Sequence, residues 1–223
     1  MRLPTVNGWM RRALLLNFSA ILIMLVASNT WTPFFKIHAQ TDLLRQMPYF
    51  AGGLTAFFAF QFIQYWWHLG RHKSQFLWSH VHQLRHSAKR IEALTASYAH
   101  PLDTACNMLL SSALLWAVLG LDWQAVVWFS VIEGAYDYFT HMNIKTPHWL
   151  GFLIQRPEMH RIHHQSDSHQ YNYSLPVFDM LFGTHRNPRH GEPVACGFDA
   201  DKEQMVGAML LGRDVHSQPK DAA

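Results

Sequence analysis

Four apolar stretches alternate with polar segments along the chain, and each is close to the length of a membrane-spanning helix. They cover about residues 13–31, 49–67, 104–121 and 123–140. A helix needs about 20 apolar residues to cross the hydrocarbon core of a bilayer. The second stretch carries phenylalanine around the whole circumference of a helix, which is typical of a helix in lipid or in a large core. The pattern predicts an all-α membrane bundle of about four apolar helices.

Two features of these stretches leave alternatives open. The first stretch follows a short basic segment and contains Val26-Ala27-Ser28, which loosely resembles a cleavage site, so it is either an uncleaved span or a secretory signal peptide. The later spans favour the uncleaved form. Only the bend at residues 120–122 separates the third and fourth stretches, which predicts a tight helical hairpin. This hairpin either crosses the membrane or enters it and returns.

Positive charge is distributed unevenly among the polar segments. Of 18 lysines and arginines, only Lys36 and Arg45 lie between the first two apolar stretches, and the others lie in residues 1–12, 68–103 and 141–223. Short loops that are rich in lysine and arginine remain in the cytoplasm. We therefore expect these three segments to form the cytoplasmic side of the protein.

Composition excludes some classes of protein and draws attention to histidine. The 223 residues are enough for one domain that covers residues 1–223, and they include 16 histidines. No block of basic residues is interleaved with aromatic residues, so nucleic-acid binding is not indicated. Cys106 and Cys196 are far apart and form no C-x-x-C motif, which argues against a disulfide framework or a thiolate metal site.

Eight of the histidines occur in four groups near the expected cytoplasmic end of an apolar stretch or in the polar segment that follows, and the groups with more than one member have helical spacing. They are His68, His72, His82, His86, His141, His160, His163 and His164. Residues at i, i+3 and i+4 share a face of a helix, and neutral imidazole binds iron, zinc, copper and nickel. The spacing predicts one metal cluster in a His-rich helical cap formed by residues 68–103 and 141–190. A polar tail, residues 191–223, follows the cap.

This set of histidines resembles the histidine boxes of the integral-membrane fatty acid hydroxylase/sterol desaturase superfamily, especially its compact bacterial members. That superfamily has H-x-x-x-H, then H-x-x-H-H twice, with a further histidine between the last two boxes, and the resemblance covers about residues 60–190. It implies a non-haem diiron centre that uses O2 and two electrons to attack an unactivated C–H bond of a lipid. Family-like sequence also surrounds the boxes at residues 100–103, 172–174 and 178–184.

One position departs from the family pattern, because Arg85 stands where the second box has a histidine. A guanidinium group stays protonated and cannot ligate a metal. The resemblance implies one ion on His68, His72, His82, His86 and His163, and a second on His141, His160 and His164. With Arg85 in place of a ligand of the second ion, that ion is weakly bound, absent, or held by a substitute such as His80 or Asp137. Zinc could replace iron after overexpression, because affinity does not follow the native metal.

Two acidic residues lie inside the fourth apolar stretch. Glu133, Asp137 and His141 are spaced by four residues, so they share one face of a helix. Acidic side chains are costly inside a membrane span and suggest a function there. They either orient the imidazoles by hydrogen bonds or ligate the metal. The alternative is an interfacial pair near the membrane edge.

The resemblance implies a lipid hydroxylase that acts on a fatty acyl or sterol-like substrate. A desaturase or carotenoid-type oxygenase is the second hypothesis, and a non-catalytic membrane metal-binding protein with a degraded second site at Arg85 is the third. The sequence contains no G-x-G-x-x-G loop and nothing like a cytochrome b5 domain or a flavin site. The electrons are therefore expected from a separate ferredoxin, cytochrome b5-like protein or reductase. The expected location is the bacterial inner membrane, with the histidines on the cytoplasmic side.

Overall fold

Helices account for the regular structure of the part of the chain that the computed structural model describes, residues 3–39, 41–166, 168–189 and 194–217. The only strand-like pairing in these ranges is one isolated antiparallel bridge. The predicted all-α class is therefore confirmed. The α-helices are α1 (Trp9–Asn29), α2 (Trp31–Ile37), α3 (Tyr49–Lys73), α4 (Gln75–Leu77), α5 (Gln83–Ser87), α6 (Pro101–Ser112), α7 (Trp123–His141), α8 (Pro157–His163), α9 (Pro176–Phe182), α10 (Ala200–Glu203) and α11 (Val206–Leu210).

Each predicted apolar stretch forms a helix, and short helical turns of other types complete some of them. The first stretch forms α1, the second α3, and the fourth α7. The third forms α6 together with the π-helical turn that continues it. At the predicted bend, Gly120 has a φ of 59° and lies so close to the carbonyl of Thr41 that a side chain would collide with it. The π-helical turns are Trp78–His82 and Ala113–Val118, and the 3₁₀ turns are Ala93–Ser97 and His148–Phe152.

Among the described residues, the N-terminal helices have the length and apolarity of a membrane span. Within the described ranges, one helical segment, Trp9–Ile37, is long and apolar enough to cross a membrane, with 29 residues and a mean hydropathy of 1.8. The prediction of four spans is therefore supported only for the first. Polar side chains lower the mean hydropathy of the later helices, among them Gln61 and Gln64 in α3 and Glu133 in α7.

Two apolar cores hold the helices together. The first lies between α3, α7 and the turn after α6, and its members are Ala56, Phe57, Phe60, Leu114, Leu115, Leu119, Leu121, Ala125, Phe129 and Leu175. The second joins the start of α1 to the histidine-bearing segment around α5. It also buries Cys196, Phe198, Met209 and Val215, which belong to the C-terminal segment that was predicted to be a polar tail. These few apolar side chains pack the C-terminal segment against the histidine-bearing part of the fold.

Gly53 sets the separation of α3 and α7. A Cβ atom at this position would lie 2.7 Å from the carbonyl oxygen of Ala125 and 2.8 Å from the backbone nitrogen of Phe129. We expect Gly53→Ala to force the helices apart and to lower the free energy of unfolding by about 1–3 kcal/mol, as overpacking does. Thermal unfolding in detergent measures this change.

Gly134→Ala in α7 is the matched control. No described atom lies within 4 Å of a Cβ atom added there. Because alanine favours the helix more than glycine does, this variant should be more stable by about 0.5–1 kcal/mol. Equal unfolding temperatures for the two variants would show that the close approach at Gly53 does not limit the packing.

Candidate metal centre

The eight predicted histidines lie together in two adjacent groups. The five-histidine group consists of His68, His72, His82, His86 and His163, and the three-histidine group consists of His141, His160 and His164. In each group, the candidate ligand atoms all lie within 4.8 Å of one another. This division coincides with the one that the family resemblance implies. That the groups bind metal stays a prediction.

Local helical geometry positions these rings. His68 and His72 occupy successive turns at the end of α3, and His86 in α5 lies one turn after His82, the last residue of a π-helical turn. α8 begins with Pro157 at its first position, which suits the proline ring. It directs His163 into the five-histidine group and His160, with the capping residue His164, into the three-histidine group. α8 therefore lies at the boundary between the groups.

Five of the rings turn Nδ1 toward an oxygen atom that can only accept a hydrogen bond. The pairs are His68 with the carbonyl of Tyr173 (2.8 Å), His163 with the carbonyl of Tyr171 (2.8 Å), His82 with Asp103 (2.8 Å), His141 with the carbonyl of Asp137 (2.7 Å) and His160 with Oε1 of Gln155 (3.1 Å). Each of these neutral rings must carry its proton on Nδ1 and its lone pair on Nε2. The surrounding protein thus selects the tautomer that can bind a metal through Nε2.

The inward-facing nitrogens show that the five-histidine group fits a metal ion. Nε2 of His68, His72 and His163 and Nδ1 of His86 are buried and have no hydrogen-bond partner among the described residues. Buried polar atoms normally have partners. Rings that share one ion at bonds of about 2.0–2.1 Å place neighbouring nitrogens about 3 Å apart, and Nε2 of His82 and His86 are 3.1 Å apart. A transition metal would satisfy Nε2 of His68, His72 and His163 at once, and Nε2 of His82 and His86 lie at a spacing that suits the same ion. Each ring offers one nitrogen to an ion, so Nδ1 of His86 would not join it.

Burial also keeps the rings neutral. Desolvation is the main cause that lowers the pKa of His82, His86, His160 and His164 well below the ordinary value of histidine, and it lowers the pKa of His163 to about 3. Neighbouring histidines and arginines lower these values further. At neutral pH, protons therefore do not compete with a metal for the lone pairs.

Three further residues orient the histidines, and the sequence analysis assigned no role to any of them. Asp103 in α6 accepts hydrogen bonds from His82 and from the guanidinium of Arg71. Gln155 is oriented by its own donation to the carbonyl of Asn172, which leaves Oε1 for His160. These partners are distant in the sequence, and the signals for Asp103 are its family-like context at residues 100–103 and its place as an acid at the start of an apolar stretch.

The third of these residues, Asp179, fixes the loop whose carbonyls hold His68 and His163. Its carboxylate accepts hydrogen bonds from the backbone nitrogens of Tyr173 (2.9 Å) and Ser174 (3.2 Å) and from the hydroxyl of Thr184 (2.6 Å). Burial raises the pKa of Asp179 to about 7, while these hydrogen bonds oppose the rise. A family-like sequence context at residues 178–184 was its only signal.

The predicted substitute ligands lie outside both groups. The ring of His80 stacks on Phe76, with centroids 4.5 Å apart, and faces the backbone of Gly212. Glu133 accepts a hydrogen bond from Gln61 (2.8 Å). None of His80, Glu133 and Asp137 is among the candidate ligands found in the described part of the chain.

Arg85 lies beside the three-histidine group. Its guanidinium donates to the carbonyl of Ala96 (2.8 Å) and to Oδ1 of Asp137 (3.0 Å), and it lies 3.4 Å from Nε2 of His141. Oδ1 of Asp137 is also 3.4 Å from Nδ1 of His141. Arg85 therefore takes up space where a ligand to a second ion would stand.

A cavity of about 330 Å³ leads from the helices to the histidines. It lies between α1, α3, α6 and α7, and it reaches His68 of one group and His160 of the other. Its wall is partly apolar, through Phe60, Met108 and Phe129, and partly polar, through Gln61, Gln64, Asn107, Glu133 and Arg85. The lining suits a mainly apolar ligand that carries a polar group and reaches the histidines.

Together, these features define an all-helical protein with a buried, two-part histidine cluster at the end of a cavity. The family model described as fatty acid hydroxylase matches residues 53–184, which is more than half of the chain. The chain therefore belongs to the fatty acid hydroxylase family, which confirms the resemblance to the superfamily. Its likeness to the compact bacterial members stays a prediction.

Several characterised proteins are similar to the chain at low identity. A very-long-chain aldehyde decarbonylase of Oryza sativa subsp. indica is 25% identical over 185 residues, which cover 81% of this chain and 69% of the rice protein. Sphinganine C4-monooxygenase 1 of Arabidopsis thaliana is 27% identical, covering 59% of this chain and 53% of its own. Sphingolipid C4-hydroxylase of Schizosaccharomyces pombe is 28% identical, and the match covers 62% of this chain and 49% of that enzyme. The chain spans about half the length of these two enzymes. No solved structure matches the chain significantly.

Proposed function

We propose that this protein is a membrane-bound, iron-dependent oxygenase that hydroxylates an unactivated C–H bond of a lipid with O2 and two electrons. The observation that carries the proposal is the cavity that ends on buried histidines of both groups. Family membership supports the chemistry, and the printed names of the relatives, which include a sphinganine monooxygenase and a sphingolipid hydroxylase, support a lipid substrate.

The five-histidine group would hold iron, and the three-histidine group is the position for a second iron in a dinuclear centre. Iron bound there would supply the chemistry that activates O2 and breaks the C–H bond. The protein contributes orientation, because Asp103, Gln155 and the carbonyls around Tyr173 keep the metal-binding nitrogens directed inward. Burial of the rings excludes water from the reacting atoms.

The cavity would bind the lipid and select the carbon that reacts. Phe60, Met108 and Phe129 offer apolar surface to a hydrocarbon chain. Gln64 donates to Asn107 (3.0 Å) and places a polar band across the same cavity. A polar group on the substrate could bind there and fix how far the chain reaches toward His68 and His160.

The N-terminal helix would anchor the enzyme in a membrane, which we propose to be the bacterial inner membrane. Much of α1 presents apolar side chains outward, for example Leu15 and Leu22. The concentration of lysine and arginine in the histidine-bearing segments supports a cytoplasmic position for them. A separate ferredoxin, cytochrome b5-like protein or reductase would deliver the electrons there.

Lipid profiling of cells with and without the gene tests the function. An added oxygen atom in one lipid class supports hydroxylation. The loss of two hydrogens would instead favour a desaturase or a carotenoid-type oxygenase. Unchanged lipids in cells whose purified protein contains metal would favour a non-catalytic metal-binding protein.

Narrowing the cavity tests whether the lipid binds there. Ala20 of α1 lines the cavity, and we expect Ala20→Trp to lower product formation by at least about tenfold, equivalent to about 1.4 kcal/mol in the barrier. Metal content should not change, because Ala20 lies in α1, which carries no histidine of either group. Leu22→Trp, on the exposed surface of α1, is the control and should leave the lipid profile as in the wild type. Equal activity of both variants would exclude this cavity as the route of the substrate.

A further inference from the structure

The two histidine groups differ in how many of their nitrogens need a partner. In the five-histidine group, Nε2 of three rings, His68, His72 and His163, is buried and has no hydrogen-bond partner among the described residues. In the three-histidine group, Nδ1 of His164 is the only such atom in the same part of the chain. The first group therefore requires a metal ion to satisfy its nitrogens, whereas the second nearly satisfies its own.

In the three-histidine group, every ring nitrogen other than Nδ1 of His164 has a contact with a neighbouring residue. His141 and His160 both carry the proton on Nδ1, because Nδ1 faces the carbonyl of Asp137 and Oε1 of Gln155. Nε2 of His160 accepts from Nε2 of His164 at 3.2 Å. Nε2 of His141 lies 3.4 Å from the guanidinium of Arg85.

One contact in this group calls for a positive charge. Nε2 of His141 and Nε2 of His160 are 3.0 Å apart, although both atoms bear lone pairs. Two lone pairs at this distance repel each other unless a cation lies beside them. The Arg85 guanidinium, 3.4 Å from Nε2 of His141, can serve as that cation in place of a metal ion.

Two hydrogen bonds hold Arg85 in this place. The carbonyl of Ala96 accepts from one amino group, and Asp137 accepts from the other. The second amino group is also the one nearest His141. A metal ion that approached His141 would meet both the volume and the charge of the guanidinium.

We propose that Arg85 serves as a built-in cation at the three-histidine group, so that the chain binds one metal ion tightly in the five-histidine group and a second ion only weakly. This inference rests on the proposed metal centre. In this inference, the guanidinium of Arg85 replaces the positive charge of the second metal ion. The two histidine groups therefore differ in their affinity for metal. Metal binding can therefore be tested apart from lipid oxidation.

Metal titration of the full chain in detergent tests the proposal. The protein is stripped with a chelator and titrated with Co²⁺, and the ions retained after desalting are counted by elemental analysis. We expect one retained ion per chain in the wild type, with a second site at least about 100-fold weaker. Arg85→His, which removes the charge and adds an imidazole, should retain two ions.

Two variants separate the charge of Arg85 from the missing ligand. Arg85→Gln removes the charge without adding a ligand and should strengthen the second site by about tenfold, whereas Arg85→Lys keeps the charge and should behave as the wild type. His141→Ala should leave the tight ion in place. The proposal is overturned if the wild type retains two ions of similar affinity, or if His141→Ala loses the tight ion. Should Arg85→His fail to fold, the wild type, Arg85→Gln and His141→Ala still decide the question.

The outcomes also distinguish this inference from the proposed function. A protein that binds no Co²⁺ would overturn the metal centre and this inference with it. One tightly held ion, with a second site that responds to the charge at position 85, would support the inference whether or not cells that express the protein contain an oxidised lipid.

Discussion

His163→Ala is expected to remove the tightly bound metal ion and to lower lipid oxidation by more than about 100-fold. Loss of residues that only orient metal ligands typically costs about 10–100-fold, and His163 would be a ligand itself. Its ring lies in the middle of the five-histidine group, with centroids 4.4 Å from His68 and 4.8 Å from His86. Elemental analysis of the purified protein and product formation in cells measure the two effects.

Thermal unfolding separates a lost ligand from a lost fold. A metal that binds only the native state raises its stability, so the unfolding temperature of the metal-free wild type should rise when metal is added. That of His163→Ala should not rise. His38→Ala, at an exposed position after α2, is the matched histidine control and should keep its metal. If His163→Ala retains one ion per chain, the assignment of the five-histidine group is wrong.

Local periodicity accounts for what the sequence could predict. The i, i+4 spacing of His68 with His72, and of His82 with His86, needs only a helix to place both rings on one face. The structure has helical turns at both positions. The division of the third box between two groups depends on how α8 packs, and it came from the family resemblance. Spacing alone could not assign His163 to one group and His160 to the other.

Long-range contacts explain what the sequence could not predict. The partners of the imidazoles lie far away in the chain, as with Tyr173, whose carbonyl holds His68 across 105 positions. Every residue has a backbone carbonyl, so the sequence does not show which carbonyl accepts a hydrogen bond from a histidine. The few apolar residues that bury the C-terminal segment, such as Phe198 and Met209, have no helical or strand period. A polar tail was therefore the natural interpretation of residues 191–223.

Polar side chains in the cavity wall make the later apolar helices harder to recognise as membrane spans. Gln61 and Glu133 form a hydrogen bond in the cavity wall between α3 and α7. The side chains that make the cavity polar are also those that lower the hydropathy of these helices. A helix that contributes polar side chains to a cavity therefore loses some of the hydropathy signal by which a membrane span is recognised.

Asp103→Ala is expected to weaken both the fold and the metal site. Asp103 and Arg71 form a buried ion pair, with side chains 1% and 4% exposed. Removal of one partner leaves an unpaired buried charge, which costs about 3–5 kcal/mol of the free energy of unfolding. His82 also loses the acceptor that keeps its proton on Nδ1, so metal affinity should fall by about 10–100-fold. Thermal unfolding of the metal-free protein and Co²⁺ titration measure the two effects.

Asp103→Asn separates these two roles, because asparagine keeps the shape but offers only one oxygen where the carboxylate offers two. If that oxygen stays with Arg71, the amide nitrogen faces Nδ1 of His82, which must then become an acceptor. The proton of His82 would move to Nε2, the atom that is directed toward the metal, as happens when an orienting carboxylate of a catalytic histidine is replaced by an amide. We therefore expect metal affinity to fall as far as in Asp103→Ala, with a smaller loss of stability. Wild-type metal affinity in Asp103→Asn would show that the carboxylate stabilises the fold without selecting the tautomer of His82.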